Sequence, residues 1–212
     1  MRNAIKAVLF DFGGVIAEEG FFKGLLEISR MIRLNADTFF TMVDDAIVET
    51  GYLTGKVDES AFWDVIKKEA GISIDESILR EEILKQYVIR PEIILYADYL
   101  RSNGIIAAVL SDQTNWLDEI NQITSFFQHF DRIFNSYHSH KSKRDASVFQ
   151  DVCEALKIKP GETLFIDDNK DHIRRARGEG LKTIHFVSIK DFRSRIQKII
   201  RLDFTSLYKQ DE

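Results

Sequence analysis

Short apolar runs and longer stretches of helical periodicity alternate along this chain. Ala7 to Phe10 is four consecutive apolar residues, the pattern of a strand buried on both faces. A long segment follows with apolar positions at helical spacing. Phe21–Ile32 predicts a first helix, and Asn35 is placed to cap a second through Phe39 and Met42. Asp58 or Ser60 starts a third helix carrying Phe62, Trp63, Ile66 and Ala70, and a fourth runs from Asp75 to about Val88. Residues 17–90 contain no strong strand pattern. Pro91 opens a helix that ends at Gly104. Strands are then expected at 104–111, 132–134, 163–166 and 183–187, separated by helices at 116–123, 146–156, 171–180 and 189–200. Such alternation predicts an α/β fold whose parallel sheet is covered on both faces, with an all-helical segment interrupting it after the first strand.

Three strand ends carry chemistry. The first strand delivers Asp11 into a turn containing Gly13 and Gly14, which free the backbone to bend and to approach a ligand closely. The second ends in Ser111 and the third in the pair Asp167–Asp168. Lys141 and Lys143 lie just before the amphipathic helix that carries Phe149. Carboxyl ends of parallel strands are where open α/β sheets bind ligands. Asp11, Asp167 and Asp168 in one cleft repel strongly without a cation, and oxygen-only ligation suits Mg²⁺. Each residue also has a plain structural reading: turn or helix capping for the aspartates and Ser111, a solvated loop for the lysines.

In their order the four segments resemble the motifs of the haloacid dehalogenase (HAD) superfamily of hydrolases, over a span from Lys6 to about Phe186. The resemblance implies a Rossmann-like core, residues 1–16 and 91–212, with a helical cap at 17–90. It implies Asp11 as the nucleophile that forms an aspartyl-phosphate. It implies Lys143, spaced correctly from Phe149, as the charge-balancing lysine, with Lys141 as its rival. Asp11, Asp168, the carbonyl of Gly13 and, through water, Asp167 are the implied Mg²⁺ ligands. Gly14, Ser111, Asp112 and Lys143 are the expected phosphate-binding positions, Ser111 being helped by amides of the following turn. Asp112 replaces a frequent asparagine and brings unwanted negative charge. Asp171 and His172 receive no role.

Gly13 departs from the pattern of most HAD phosphatases, which carry there a second aspartate that protonates the leaving group. Glycine supplies no proton, so Glu18 and Glu19, at the start of the helical segment, are the substitutes to weigh, as are solvated hinge roles for both. The activity expected from the resemblance is a Mg²⁺-dependent phosphatase of a small phosphorylated metabolite of the sugar-phosphate type. The alternatives are a non-catalytic or regulatory HAD-like binding protein and a 2-haloacid dehalogenase.

Composition narrows the setting. A net charge of −5 argues against a nucleic-acid surface, and no apolar run is long enough to span a membrane. Cys153 is the only cysteine, sits at helical spacing among apolar residues, and excludes an intrachain disulfide. With no signal-peptide pattern at the N-terminus, the expectation is a cytoplasmic monomer or homodimer. His138 and His140 read as surface histidines, and Phe39, Phe40, Tyr52, Phe62 and Trp63 as cap core rather than a stacking platform.

Overall fold

The computed structural model describes residues 4–208. Five parallel strands, β1 (Ala7–Phe10), β2 (Ile106–Ser111), β3 (Arg132–Asn135), β4 (Thr163–Asp167) and β5 (Lys182–His185), form one sheet in the order β3-β2-β1-β4-β5. β1 is central, with Leu9 in register with Ala108 on one side and Phe165 on the other. The period of two is visible in the packing. Val8, Phe10, Val109, Ile166 and Ile184 join one apolar cluster, while Leu9, Ala108, Leu110 and Phe165 join a second on the opposite face. At β1, β2 and β4 both faces are dry, which is why these strands read as continuous apolar runs rather than alternating ones, whereas the edge strands β3 and β5 are partly exposed.

Four helices lie between β1 and α5 (Pro91–Ser102): α1 (Phe21–Ile32), α2 (Ala36–Glu49), α3 (Glu59–Ala70) and α4 (Glu76–Leu84). Their starts follow the sequence. Asn35 Oδ1 accepts from the Thr38 amide at 3.0 Å, Asp58 from Ala61 at 2.9 Å and Asp75 from Ser77 at 2.9 Å. Beyond β2 come α6 (Trp116–Thr124), the short α7 (Ser136–Ser139), α8 (Val148–Leu156), α9 (Lys170–Gly178) and α10 (Ile189–Ile199).

α4 ends at Leu84, earlier than the apolar spacing suggests, because residues beyond it return to the sheet. The Glu18 amide donates to Val88 O and the Arg90 amide to Ile16 O, each at 2.8 Å, and Ala17 and Ile89 form an antiparallel bridge. Arg90 fixes this crossing further. Its guanidinium donates to the carbonyls of Gly14, Val15 and Ala17 at 2.7–3.1 Å and pairs with Glu18 at 2.9 Å.

The inserted helices pack on α6 through rings. Tyr52, Phe62, Trp63 and Trp116 are buried, with Trp63 and Trp116 6.1 Å apart. Phe39 is buried as expected, but Phe40 is only half-buried and faces a cavity shared with Phe21 and Phe22. Among the described residues no helix is long and apolar enough to cross a membrane.

Candidate active site

Asp11 and Asp167 end adjacent strands, and the chain leaves β1 and β4 in opposite directions across the sheet, so they sit at its topological switch point. Lys143 enters between them from the loop after α7. Its ammonium lies 2.8 Å from Asp11 Oδ1 and 2.7 Å from Asp167 Oδ2 and is 1% exposed. The lysine stem rests near the face of Phe165, with Nζ 5.7 Å from the ring centre. Lys141, the rival, points outward to Asp151 and Ser147.

Asp112 holds the loop in place: its Oδ1 accepts the Lys143 amide at 2.8 Å. The carboxylate suspected of crowding a phosphate is thus partly spent on positioning the lysine. His172, given no role by the sequence, stands 3.1 Å through Nδ1 from Asp167 Oδ2 and 4.0 Å through Nε2 from Asp112 Oδ2. Asn169 caps α9 through the amides of Asp171 and His172, which directs the histidine back toward the strand ends. The Asp-Asp-Asn-x-x-His spacing is the signal that could have found it. His138 and His140 are exposed; His138 pairs with Asp118, and His140 Nδ1 lies 2.8 Å from the Thr54 carbonyl.

Electrostatics divide the carboxylates. Burial pushes Asp11 well above the usual carboxylate range against the pull of Lys143, and the Asp167 charge adds to the rise. Burial acts on Asp167 too, but Lys143 and His172 outweigh it and hold that carboxyl low. Burial and then the neighbouring Asp167 raise Asp168. Lys143, despite its burial, is held charged by Asp11 and Asp167.

The donor set fits a hard divalent cation. Asp167 is saturated, since Oδ1 accepts the Asn169 amide at 2.6 Å and Oδ2 faces Lys143 and His172. Asp11 Oδ1 accepts from the Phe12 amide as well as Lys143, whereas among the described residues nothing donates to Oδ2. The Asp168 carboxylate likewise makes no ion pair there. It lies directly over Gly14, where a Cβ would fall 2.0 Å from its Oδ2. With φ at +78°, Gly14 is a position only glycine fills without strain. Asp11, Asp167 and His172 also place ligand atoms within 4.8 Å of one another, but Lys143 already occupies the space between the two carboxylates.

Gly13 faces the cavity, and a Cβ there would first meet Tyr87 at 3.8 Å. Tyr87 was not singled out by sequence; it is buried and its hydroxyl accepts from Gln113 Nε2 at 2.6 Å. Glu19 lines the cavity and caps α1 by accepting the Phe22 amide at 2.9 Å, while Glu18 turns away to Lys23 and Arg90. Ser111 lines the cavity at the end of β2. Two amides of the turn that follows are engaged elsewhere: Gln113 donates to Ser136 Oγ and Thr114 to Gln113 Oε1. The cavity holds about 600 Å³, far more than a phosphate needs.

A family model described as haloacid dehalogenase-like hydrolase matches residues 5–180. The rat protein named bifunctional epoxide hydrolase 2 is 24% identical over 202 residues, which is 85% of this chain and 36% of the relative; the chain thus spans about a third of that protein. A HAD family enzyme from Bacteroides thetaiotaomicron superimposes with a TM-score of 0.77 at 21% identity, covering 92% of this chain and 99% of the other. The same enzyme in complex with magnesium and inorganic phosphate gives a TM-score of 0.70. L-2-haloacid dehalogenase from Xanthobacter autotrophicus, with chloropropionic acid covalently bound, gives 0.62 at 18% identity, covering 97% and 88%. At these identities the likeness to solved structures establishes the fold.

Proposed function

We propose that the chain, which belongs to the haloacid dehalogenase-like hydrolases, is a Mg²⁺-dependent phosphomonoesterase acting on a small phosphorylated metabolite. The observation that carries this reading is the division of labour among the strand-end carboxylates. Lys143 neutralises Asp167 and one oxygen of Asp11, while Asp11 Oδ2 and Asp168 stay open toward the cavity. A site that already holds an ammonium yet keeps one carboxylate and a second carboxylate's oxygen free suits a divalent cation and an anionic substrate.

Asp11, Asp168 and the Gly13 carbonyl would hold Mg²⁺, with Asp167 behind them. Bound there, the ion shields the approach of one anion to another. The chain's own residues do the rest. Asp11 attacks phosphorus, and the leaving oxygen departs with the bonding pair. Water then cleaves the aspartyl-phosphate, restoring Asp11 and releasing inorganic phosphate. Lys143 and the Ser111 hydroxyl stabilise the phosphoryl oxygens. Residues 17–90 act as the cap, and Arg90 pins its neck. The setting is cytoplasmic, the molecule a monomer or homodimer, with neither nucleic acid nor membrane as partner.

Hydrolysis of acetyl phosphate and p-nitrophenyl phosphate with Mg²⁺, suppressed by EDTA and by Asp11→Asn, tests the reading. Full turnover in excess EDTA would sink it. The dehalogenase neighbour motivates a second reading, in which the same Asp11 attacks carbon. Chloride release from 2-chloropropionate without metal would favour it; the open Asp168 speaks against it.

A further inference from the structure

Resting on the phosphatase reading, we propose that the leaving group is an aryl alcohol, the substrate class being phosphate monoesters of flat aromatic hydroxyl compounds. Beside Glu19 and Asp44, the inserted segment lines the cavity with a run of apolar and aromatic side chains: Phe21, Phe22, Phe40, Ile47, Leu53 and Tyr87. Phe22 meets Phe40 edge-on at 5.2 Å and Phe21 meets Phe40 at 6.4 Å, so three rings offer edges and faces to whatever enters. Phe22 is 42% exposed, so its ring is accessible to a ligand in the cavity it lines. The polar groups on this side already hold partners. Glu19 accepts the Phe22 amide, Asp44 pairs with Arg144 at 3.4 Å, and Gln113 is bonded to Tyr87 and Thr114. A polyol would have to compete for each of them, whereas an aromatic ring needs none.

Gly13 points the same way independently. With no side chain at Gly13 to protonate the leaving oxygen, an ester whose bond breaks to a stable anion is favoured. A phenol, with a pKa of about 10 as in tyrosine, leaves as phenolate far more readily than an alkoxide. The Asp11–phosphorus bond forms as the phosphorus–oxygen bond breaks, and the phenolate takes its proton from solvent. The water that later cleaves the aspartyl-phosphate gives up its own proton to the medium.

The test compares kcat/KM for 2-naphthyl phosphate, octyl phosphate, glucose 6-phosphate and acetyl phosphate with Mg²⁺, on wild type and on Phe22→Ala and Phe40→Ala. The naphthyl ester is expected to lead the octyl and glucose esters. Each variant should raise its KM by about two- to tenfold and lower its rate relative to acetyl phosphate. Phe22 is exposed, so its variant keeps the test valid should Phe40→Ala fold poorly. Equal or better turnover of the octyl or glucose ester overturns the aryl assignment while leaving the phosphatase reading intact. If even acetyl phosphate is inert, the phosphatase reading falls instead. Calorimetric binding of phenylphosphonate against methylphosphonate then decides the aryl site alone: tighter phenylphosphonate binding upholds it, and equal affinity overturns it.

Discussion

Lys143 and Asp167 form an ion pair at 2.7 Å in which the side chains are 1% and 0% exposed. Neither partner reaches water, so each depends on the other for its charge. Removing one partner from a buried pair costs about 3–5 kcal/mol, because the survivor is stranded. Lys143→Ala should therefore abolish turnover and lower stability by an amount of that order in urea unfolding. Lys141→Ala, at an exposed pair, should leave both nearly unchanged; the reverse order would mean that the wrong lysine faces phosphate.

The same pair sets limits on stability with pH. Asp167 is held below its ordinary 3.8, so its contribution is present above that value and is lost as pH falls through the folded pKa. Lys143 is held above its ordinary 10.5, so its contribution is present below that value and is lost as pH rises through the folded pKa. Unfolding midpoints followed from acid to alkali should fall away at both ends. In Lys143→Met the alkaline loss should vanish.

For Asp11 the sign runs the other way. Burial raises its pKa, yet in the proposed mechanism only the carboxylate attacks phosphorus. A bound cation favours the ionised form, so added Mg²⁺ should move the acid limb of the kcat/KM profile to lower pH. A limb that stays fixed across a wide Mg²⁺ range would separate the ion from Asp11. Asp11→Asn should lose turnover by orders of magnitude at every pH while its circular dichroism spectrum stays native.

Two carboxyls bear on the leaving group. Gly13 has ordinary torsions and open space to Tyr87 at 3.8 Å, so Gly13→Asp should fold. The new acid should speed alkyl phosphates most, by no more than roughly 10²–10⁴. Glu19, whose pKa is raised by burial, lines the same cavity. If it already serves as acid, Glu19→Gln steepens the plot of log kcat/KM against leaving-group pKa; an unchanged slope confines it to capping α1.

Gly14→Ala tests the metal side. Its Cβ would strike Asp168 Oδ2, and the positive φ adds strain of about 1–2 kcal/mol. Weaker Mg²⁺ binding in titration calorimetry is expected along with lower stability.

What could be read in the sequence was whatever repeats or caps. The central strands lie where the apolar runs placed them, because β1, β2 and β4 are dry on both faces and carry polar residues only at their ends. The caps at Asn35 and Asp58 stood in plain order. Asp11, Ser111 and Asp167 were visible as polar residues closing apolar strands, and Lys143 only through the family resemblance, which supplies the distance to Phe149. Tyr87 was not visible, since its partner Gln113 is distant in sequence, whereas His172 lies only five residues from Asp167 and its spacing carried a signal that went unused. The part-exposed wall around Phe40 escaped for a related reason. On a helix, an aromatic that faces a cavity and one that faces the core show the same spacing.

The neck at Arg90 has a bearing on how the chain folds. β1 and β2 are neighbours in the sheet, yet five helices separate them in sequence, and such non-local pairing is slow to form. Where Ala17 meets Ile89 and Arg90 clasps the carbonyls of residues 14, 15 and 17, the long excursion is tied off at its base. From that moment β2 reaches β1 across α5 alone, a far shorter closure. Arg90 thus belongs to the order of assembly, and its loss should delay refolding more than it weakens the finished fold.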